Sequence, residues 1–137
     1  MSKLNPLLSG IDLEPDPSED GRLEVHEIME LRLKARLVTL SACETALGTS
    51  YFTELPAGDD FVGLTRAFLF AGSRSVLASL WKVDDRSTLE LMEAFYRERG
   101  GAESAGALVA AQRAMRQEKG RYSHPYFWAA FVLVGRM

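Results

Sequence analysis

The decisive stretch of this sequence is Leu37-Val38-Thr39-Leu40-Ser41-Ala42-Cys43-Glu44-Thr45. Residues 37–41 are apolar apart from Thr39 and the final Ser41 and are rich in β-branched and leucine side chains, which predicts a strand covered on both faces. Such a strand ends just before Cys43, the only cysteine of the chain. Ligands of open α/β sheets gather outside the carboxyl ends of the strands, so this position is typical of a presented nucleophile.

The segments on either side of this strand predict alternating helices and strands. Before it we expect an edge strand ending at Leu13, a turn over residues 14–21 and a helix over 25–31. After it we expect a mobile loop over residues 47–58, then helices over 60–71, 84–99 and 102–119, a strand over 75–80 and a final strand or strand-like segment over 126–134. This alternation predicts an α/β fold with a parallel sheet.

Composition limits the function classes. The 137 residues are 47% hydrophobic and 26% charged, as in ordinary globular domains, and the net charge of -3 disfavours direct nucleic-acid binding. No apolar run approaches the roughly 18 residues of a membrane span, and the amino terminus is too short and polar for a signal peptide, so we expect no membrane association and a cytoplasmic location. A single cysteine and two separated histidines predict no disulfide, no metal site and no cofactor.

Four separated blocks of the sequence occur in the order found in one protein family. The blocks are Ser41-Ala42-Cys43-Glu44-Thr45-Ala46-Leu47-Gly48, residues 63–76, Ser79-Leu80-Trp81-Lys82-Val83-Asp84-Asp85 and His124-Pro125-Tyr126-Phe127-Trp128-Ala129-Ala130-Phe131. Together they resemble the CHAT domain family, caspase-like cysteine peptidases that typically follow tetratricopeptide repeats. In that family such activity is often part of bacterial defence or programmed-death systems.

The resemblance implies a fold and a domain assignment. The fold is a caspase-haemoglobinase-like sandwich of a mostly parallel sheet between helices, here truncated at its amino-terminal side. The matching region runs from about residue 5 to residue 135 and covers only the carboxyl-terminal half of the family's domain. Residues 1–137 are therefore expected to form the carboxyl-terminal part of a single CHAT-like peptidase domain.

The resemblance also assigns Cys43 as the catalytic nucleophile. A free thiol has a pKa of about 8.5 and needs a base to become thiolate at neutral pH. In the family this base is the histidine of a Thr-His-Gly motif just upstream of the segment that residues 5–10 resemble, so we expect it to be missing from this chain. Without the resemblance, Cys43 is better explained as a small buried hydrophobe, as most free cysteines are.

The two histidines of the chain are weak candidates for the base. His26 lies in a charged segment and is expected at the surface. His124 stands before Pro125 in an aromatic stretch and is expected to pack or to form a hydrogen bond, with service as a substitute base as the alternative.

Asp84 and Asp85 follow the predicted strand 75–80 and should emerge at the same edge as Cys43. An aspartate before a helix commonly caps its free amides, and we expect this of at least one of the two. The functional alternative is that the other lines the pocket for the substrate residue before the scissile bond. Its carboxylate would then favour arginine or lysine.

Two function classes follow. The chain is either the nucleophile-bearing portion of a cysteine endopeptidase, inactive until an upstream segment completes it, or a non-catalytic interaction or regulatory module of the same fold. The expected partners are a protein or peptide substrate, the upstream half of the domain with its tetratricopeptide repeats and, through an exposed sheet edge, a second copy of the chain.

Overall fold

The structure is a computed structural model that describes residues 10–18, 20–40, 58–100, 103–117 and 121–136, with residues 58–61 described by their backbone alone. In chain order its elements are β1 (Gly10–Asp12), β2 (Arg22–Glu24), α1 (Val25–Glu30), β3 (Val38–Leu40), α2 (Gly58–Phe70), β4 (Ser75–Ser79), α3 (Asp85–Arg99), α4 (Ser104–Gln117), α5 (Pro125–Trp128) and β5 (Phe131–Gly135). The predicted α/β class is confirmed. The predicted mobile loop over 47–58 lies almost wholly outside the described residues.

The described strands form two small sheets. In the larger one the strand order is β3-β4-β5, and β3 pairs with β4 in parallel, with Leu40 opposite Ala78. β5 pairs with the other side of β4 in antiparallel orientation, with Phe131 opposite Ser79. β1 and β2 form a separate antiparallel hairpin, which agrees with the turn expected between them.

The prediction of a mostly parallel sheet is therefore wrong for the described part of the chain, because only one of its three strand pairings is parallel. The connection after β4 explains the difference. α3 leads the chain from the carboxyl edge of the sheet to the opposite edge, and α4, joined to it by a short connection and packed against it, leads the chain back. β5 therefore begins beside the end of β4 and must run antiparallel to it.

Helices cover both faces of β4, all five residues of which are buried. Leu77 packs into a core with Leu91, Phe95 and other buried residues of α3, α4 and β5. Its neighbours Val76 and Ala78 point to the other face, where they join the core formed with α1 and α2. The alternation follows from the strand's two-residue period and makes β4 the centre of a three-layer arrangement.

The prediction of a strand or strand-like segment over 126–134 is correct only for its second part, because residues 125–128 form the short helix α5. Pro125 takes the first helical position, where its missing N–H removes no hydrogen bond, and His124 is the N-cap. Gln112 of α4 fixes the bend between α5 and β5. Its Nε2 donates to the carbonyl oxygens of Trp128 (3.1 Å) and Phe131 (2.9 Å).

Candidate active site

The parallel pairing of β3 and β4 brings the carboxyl ends of both strands to one edge of the sheet. Cys43 follows the last residue of β3 by three positions, but it falls within residues 41–57, outside the described residues. Its predicted position at a strand end therefore stays a prediction. The structure describes β3, which leads to this residue, and the neighbouring β4 with the loop that follows it.

The loop after β4 is held in place by α5. The backbone N–H of Leu80 donates to the carbonyl oxygen of Ala130 at 2.9 Å. The indole Nε1 of Trp81 donates to the carbonyl oxygen of Tyr126 at 3.0 Å, and the hydroxyl of Tyr126 donates to the carbonyl oxygen of Lys82 at 2.7 Å. This reciprocal pair fixes the path of the chain from β4 to the aspartates and leaves both aromatic rings partly exposed at the edge.

The sequence did not predict this pair of hydrogen bonds between Trp81, Tyr126 and Lys82. Trp81 and Tyr126 both lie in blocks that carry the family resemblance, yet they are 45 residues apart in the chain. Their bonds go to backbone carbonyl groups, which any residue type supplies. Side-chain identity therefore carried no signal for the pairing.

Asp84 is the N-cap of α3, so the capping prediction is confirmed for this residue. Its Oδ2 accepts a hydrogen bond from the backbone N–H of Ser87 at 3.1 Å. The Ser87 hydroxyl, which is fully buried, donates in turn to the carbonyl oxygen of Asp84 at 2.8 Å. The two bonds satisfy amide and carbonyl groups at the helix start and fix the Asp84 carboxylate.

Asp85 differs from its neighbour in its contacts. It occupies the first turn of α3 and is exposed, and its carboxylate forms no hydrogen bond or ion pair within the described part of the chain. Both aspartates thus follow β4 at the predicted edge, but only Asp85 has a carboxylate that is not engaged by a described partner. A substrate-binding role of either aspartate stays a prediction.

His26 is at the surface, as predicted, on the first turn of α1. Its side chain is 52% exposed, and its Nδ1 lies 3.2 Å from Oε2 of Glu24. The contact is an ion pair only when the ring is protonated.

The ring of His124 forms a hydrogen bond, also as predicted. Its Nδ1 accepts from the backbone N–H of Tyr126 at 3.2 Å and so caps α5. A neutral imidazole whose Nδ1 accepts carries its proton on Nε2. Nε2 of His124 is then a donor, and it becomes a proton acceptor only if the cap is broken.

Among the described residues, no group of three or more His, Cys, Asp or Glu side chains is arranged to hold a metal ion. None of the helices within these same ranges is both long enough and apolar enough to cross a membrane.

Comparison with known proteins identifies the family. The sequence profile of the family described as "CHAT domain" matches residues 2–136. Tetratricopeptide repeat protein 28 of mouse (Mus musculus) is 34% identical to this chain over 120 residues, and the human (Homo sapiens) protein of the same name is 32% identical over 120 residues. Each alignment covers 87% of this chain and 5% of the relative, so the chain spans a small fraction of the length of these curated relatives.

The names of both relatives refer to tetratricopeptide repeats, in agreement with the association that the resemblance implied. The profile covers nearly the whole chain, and the order of elements around β3 and β4 agrees with the α/β class expected from the sequence blocks. This chain belongs to the CHAT domain family.

Proposed function

We propose that this chain supplies the nucleophile-bearing portion of a CHAT-family cysteine endopeptidase, with Cys43 as the nucleophile. The observation that carries the proposal is the parallel register of β3 and β4, with Leu40 opposite Ala78. Parallel strands end at the same edge, so the chain that leads to Cys43 and the loop that leads to Asp84 and Asp85 leave the sheet side by side. Membership of the family supports the same assignment.

The proposed fold is the caspase-haemoglobinase-like sandwich, of which residues 1–137 form the carboxyl-terminal part. Helices on both faces of β4 support this proposal. The antiparallel β5 fits it as a strand added at one side of a parallel pair.

The proposed chemistry is covalent catalysis. The thiolate of Cys43 attacks the carbonyl carbon of a peptide, the amine leaves with a proton from the general acid, and water hydrolyses the thioester. One histidine performs both proton transfers. We assign this histidine to the Thr-His-Gly motif that the family resemblance implies, on a polypeptide segment other than the described part of this chain. The capping bond of His124 supports this assignment, because it leaves Nε2 of that ring as a donor.

The proposed substrate is a protein or peptide with arginine or lysine before the scissile bond. Asp85 supports this preference, since its exposed carboxylate stands at the edge without a described partner. Asp84 is the poorer candidate because Ser87 already donates to it. A carboxylate binds guanidinium and ammonium groups through charge-assisted hydrogen bonds.

Fluorogenic peptides with Arg, Lys, Met or Asp before the cleaved bond test the proposal. The purified chain alone is expected to give no turnover. Addition in trans of a segment that carries the family's Thr-His-Gly motif is expected to produce cleavage that Cys43→Ala abolishes. In the complemented enzyme, Asp85→Asn should lower kcat/KM for Arg and Lys peptides by about tenfold or more while Met peptides change little, and Asp84→Asn serves as the matched control.

Two results would change the assignment. Cleavage by the chain alone that depends on Cys43 would place the base within these residues, and His26→Ala and His124→Ala would then identify it. Absence of Cys43-dependent cleavage under every condition would favour the second candidate function, a protein-interaction or regulatory module.

A further inference from the structure

A cavity of about 800 Å³ opens at the edge of the sheet opposite the proposed catalytic edge. It lies at the amino end of β4 and the carboxyl end of β5, where Ser75 is paired with Gly135. Its lining includes four arginines and one acidic residue, and the charged members are Arg36, Arg74, Arg99, Arg136 and Glu103. The charged lining therefore carries a formal charge of +3 in a chain whose net charge is -3.

Hydrogen bonds to their backbone groups hold three of these arginines side by side. The carbonyl oxygen of Arg74 accepts from the N–H of Arg136 at 2.9 Å, and the N–H of Arg74 donates to the carbonyl oxygen of Ala35 at 3.1 Å. The hydroxyl of Ser75 donates to the carbonyl oxygen of Arg36 at 3.0 Å. The three side chains thus start from neighbouring points fixed by the sheet.

The fourth arginine comes from the last turn of α3. Arg99 follows Tyr96 by three residues and so lies on the same face of the helix. The hydroxyl of Tyr96 lies 2.7 Å from Oγ1 of Thr39 on β3, which fixes this face of α3 against the sheet. The start of α4 at Ser104 completes the wall, and its first amides add positive partial charge.

The positive charge of the cavity is not balanced inside the described structure. Within the described ranges, no carboxylate lies within ion-pair distance of the guanidinium group of Arg36, Arg74, Arg99 or Arg136. The four guanidinium groups outnumber the single carboxylate of the lining, so they repel each other, and a bound anion relieves this repulsion. Guanidinium groups also match the geometry of phosphate oxygens and bind them through paired hydrogen bonds.

We propose that this arginine cavity is a binding site for a compact ligand that carries two or more phosphate groups. The described lining is mainly polar, with Tyr96, Leu133 and Ala105 as its larger apolar surfaces, and so lacks a row of pockets for the side chains of a peptide. The net charge of -3 disfavours the extended basic surface that a nucleic-acid backbone needs. The site is separate from the proposed peptidase site and does not depend on it.

Isothermal titration calorimetry of the 137-residue chain at low ionic strength tests this site with inorganic phosphate, pyrophosphate, tripolyphosphate and a phosphoserine peptide. Affinity is expected to rise in the order phosphate, pyrophosphate, tripolyphosphate, with the peptide weaker than tripolyphosphate. Arg99→Gln is expected to weaken tripolyphosphate binding by at least about tenfold because it removes charge-assisted hydrogen bonds. Added salt should weaken binding to the unmodified chain by screening.

Arg97→Gln is the matched control, since Arg97 is an exposed residue of the same helical turn and does not line the cavity. It should change tripolyphosphate affinity by no more than about twofold, as is usual for remote surface charges. Circular dichroism spectra and thermal melts of both variants check that the fold is kept, and Arg74→Gln provides a second variant at the cavity. The proposal is overturned if tripolyphosphate does not bind, if Arg97→Gln and the cavity variants lose affinity equally, or if the phosphoserine peptide binds more tightly.

Discussion

Replacement of Asp84 by alanine separates the capping role of this side chain from any role in substrate binding. Oδ2 of Asp84 accepts from Ser87 N–H at 3.1 Å, and alanine leaves that amide without its partner. Loss of an N-cap side chain costs about 1 kcal/mol. Loss of a negative charge at a helix start adds about 0.5 kcal/mol at an exposed position. The expected decrease in the free energy of unfolding is thus about 1.5 kcal/mol, or a fall in Tm of roughly 5 °C for a domain of this size.

Two variants separate the contribution of the capping hydrogen bond from that of the negative charge. Asp84→Asn keeps an oxygen acceptor and loses the charge, so it is expected to cost only about 0.5 kcal/mol. Asp85→Ala removes a first-turn charge that has no capping bond and is also expected to cost about 0.5 kcal/mol. Urea unfolding followed by circular dichroism and calorimetric Tm values measure all three. The capping argument fails if Asp84→Ala is no less stable than Asp85→Ala.

Three further predictions concern the elements that position the site, and urea unfolding measures each. Gly72 ends α2 with φ +108°, and a Cβ there would lie 2.5 Å from a backbone carbonyl oxygen. Gly72→Ala should therefore lower the free energy of unfolding by about 3 kcal/mol. Gly100→Ala, at φ -58°, should leave it unchanged or raise it slightly. Gln112→Ala removes both bonds to the bend before β5 and should cost about 2 kcal/mol, and an unchanged midpoint would show that the bend does not need them. Leu91→Ala in the core should lower the free energy of unfolding by about 3 kcal/mol. Leu89→Ala on the exposed side of the same helix should change it by no more than about 0.5 kcal/mol. Similar losses of stability in both variants would contradict the described packing.

Several elements were predictable because their signals are local. The apolar period of α3 and α4, the aspartate before α3 and the glycine after α2 each act over a few residues. The structure has α1, α2, α3 and α4 within two residues of their predicted bounds. The family could be identified for a related reason. Its blocks are short runs of fixed residue types, and their order is readable without the fold.

The sequence by itself determined the α/β class, the positions of α1 to α4 and a cap at the start of α3 by one of Asp84 and Asp85. The position of Cys43 at a strand end stays a prediction. Only the tertiary structure decided the direction of β5. That direction depends on how many helices lie between β4 and β5 and on the edge of the sheet at which the last of them ends. It also decided the hydrogen bonding between Trp81 and Tyr126 and the position of four arginines around one cavity, namely Arg36, Arg74, Arg99 and Arg136. These features join residues from distant parts of the chain through backbone groups common to all residue types, so side-chain patterns along the sequence do not encode them.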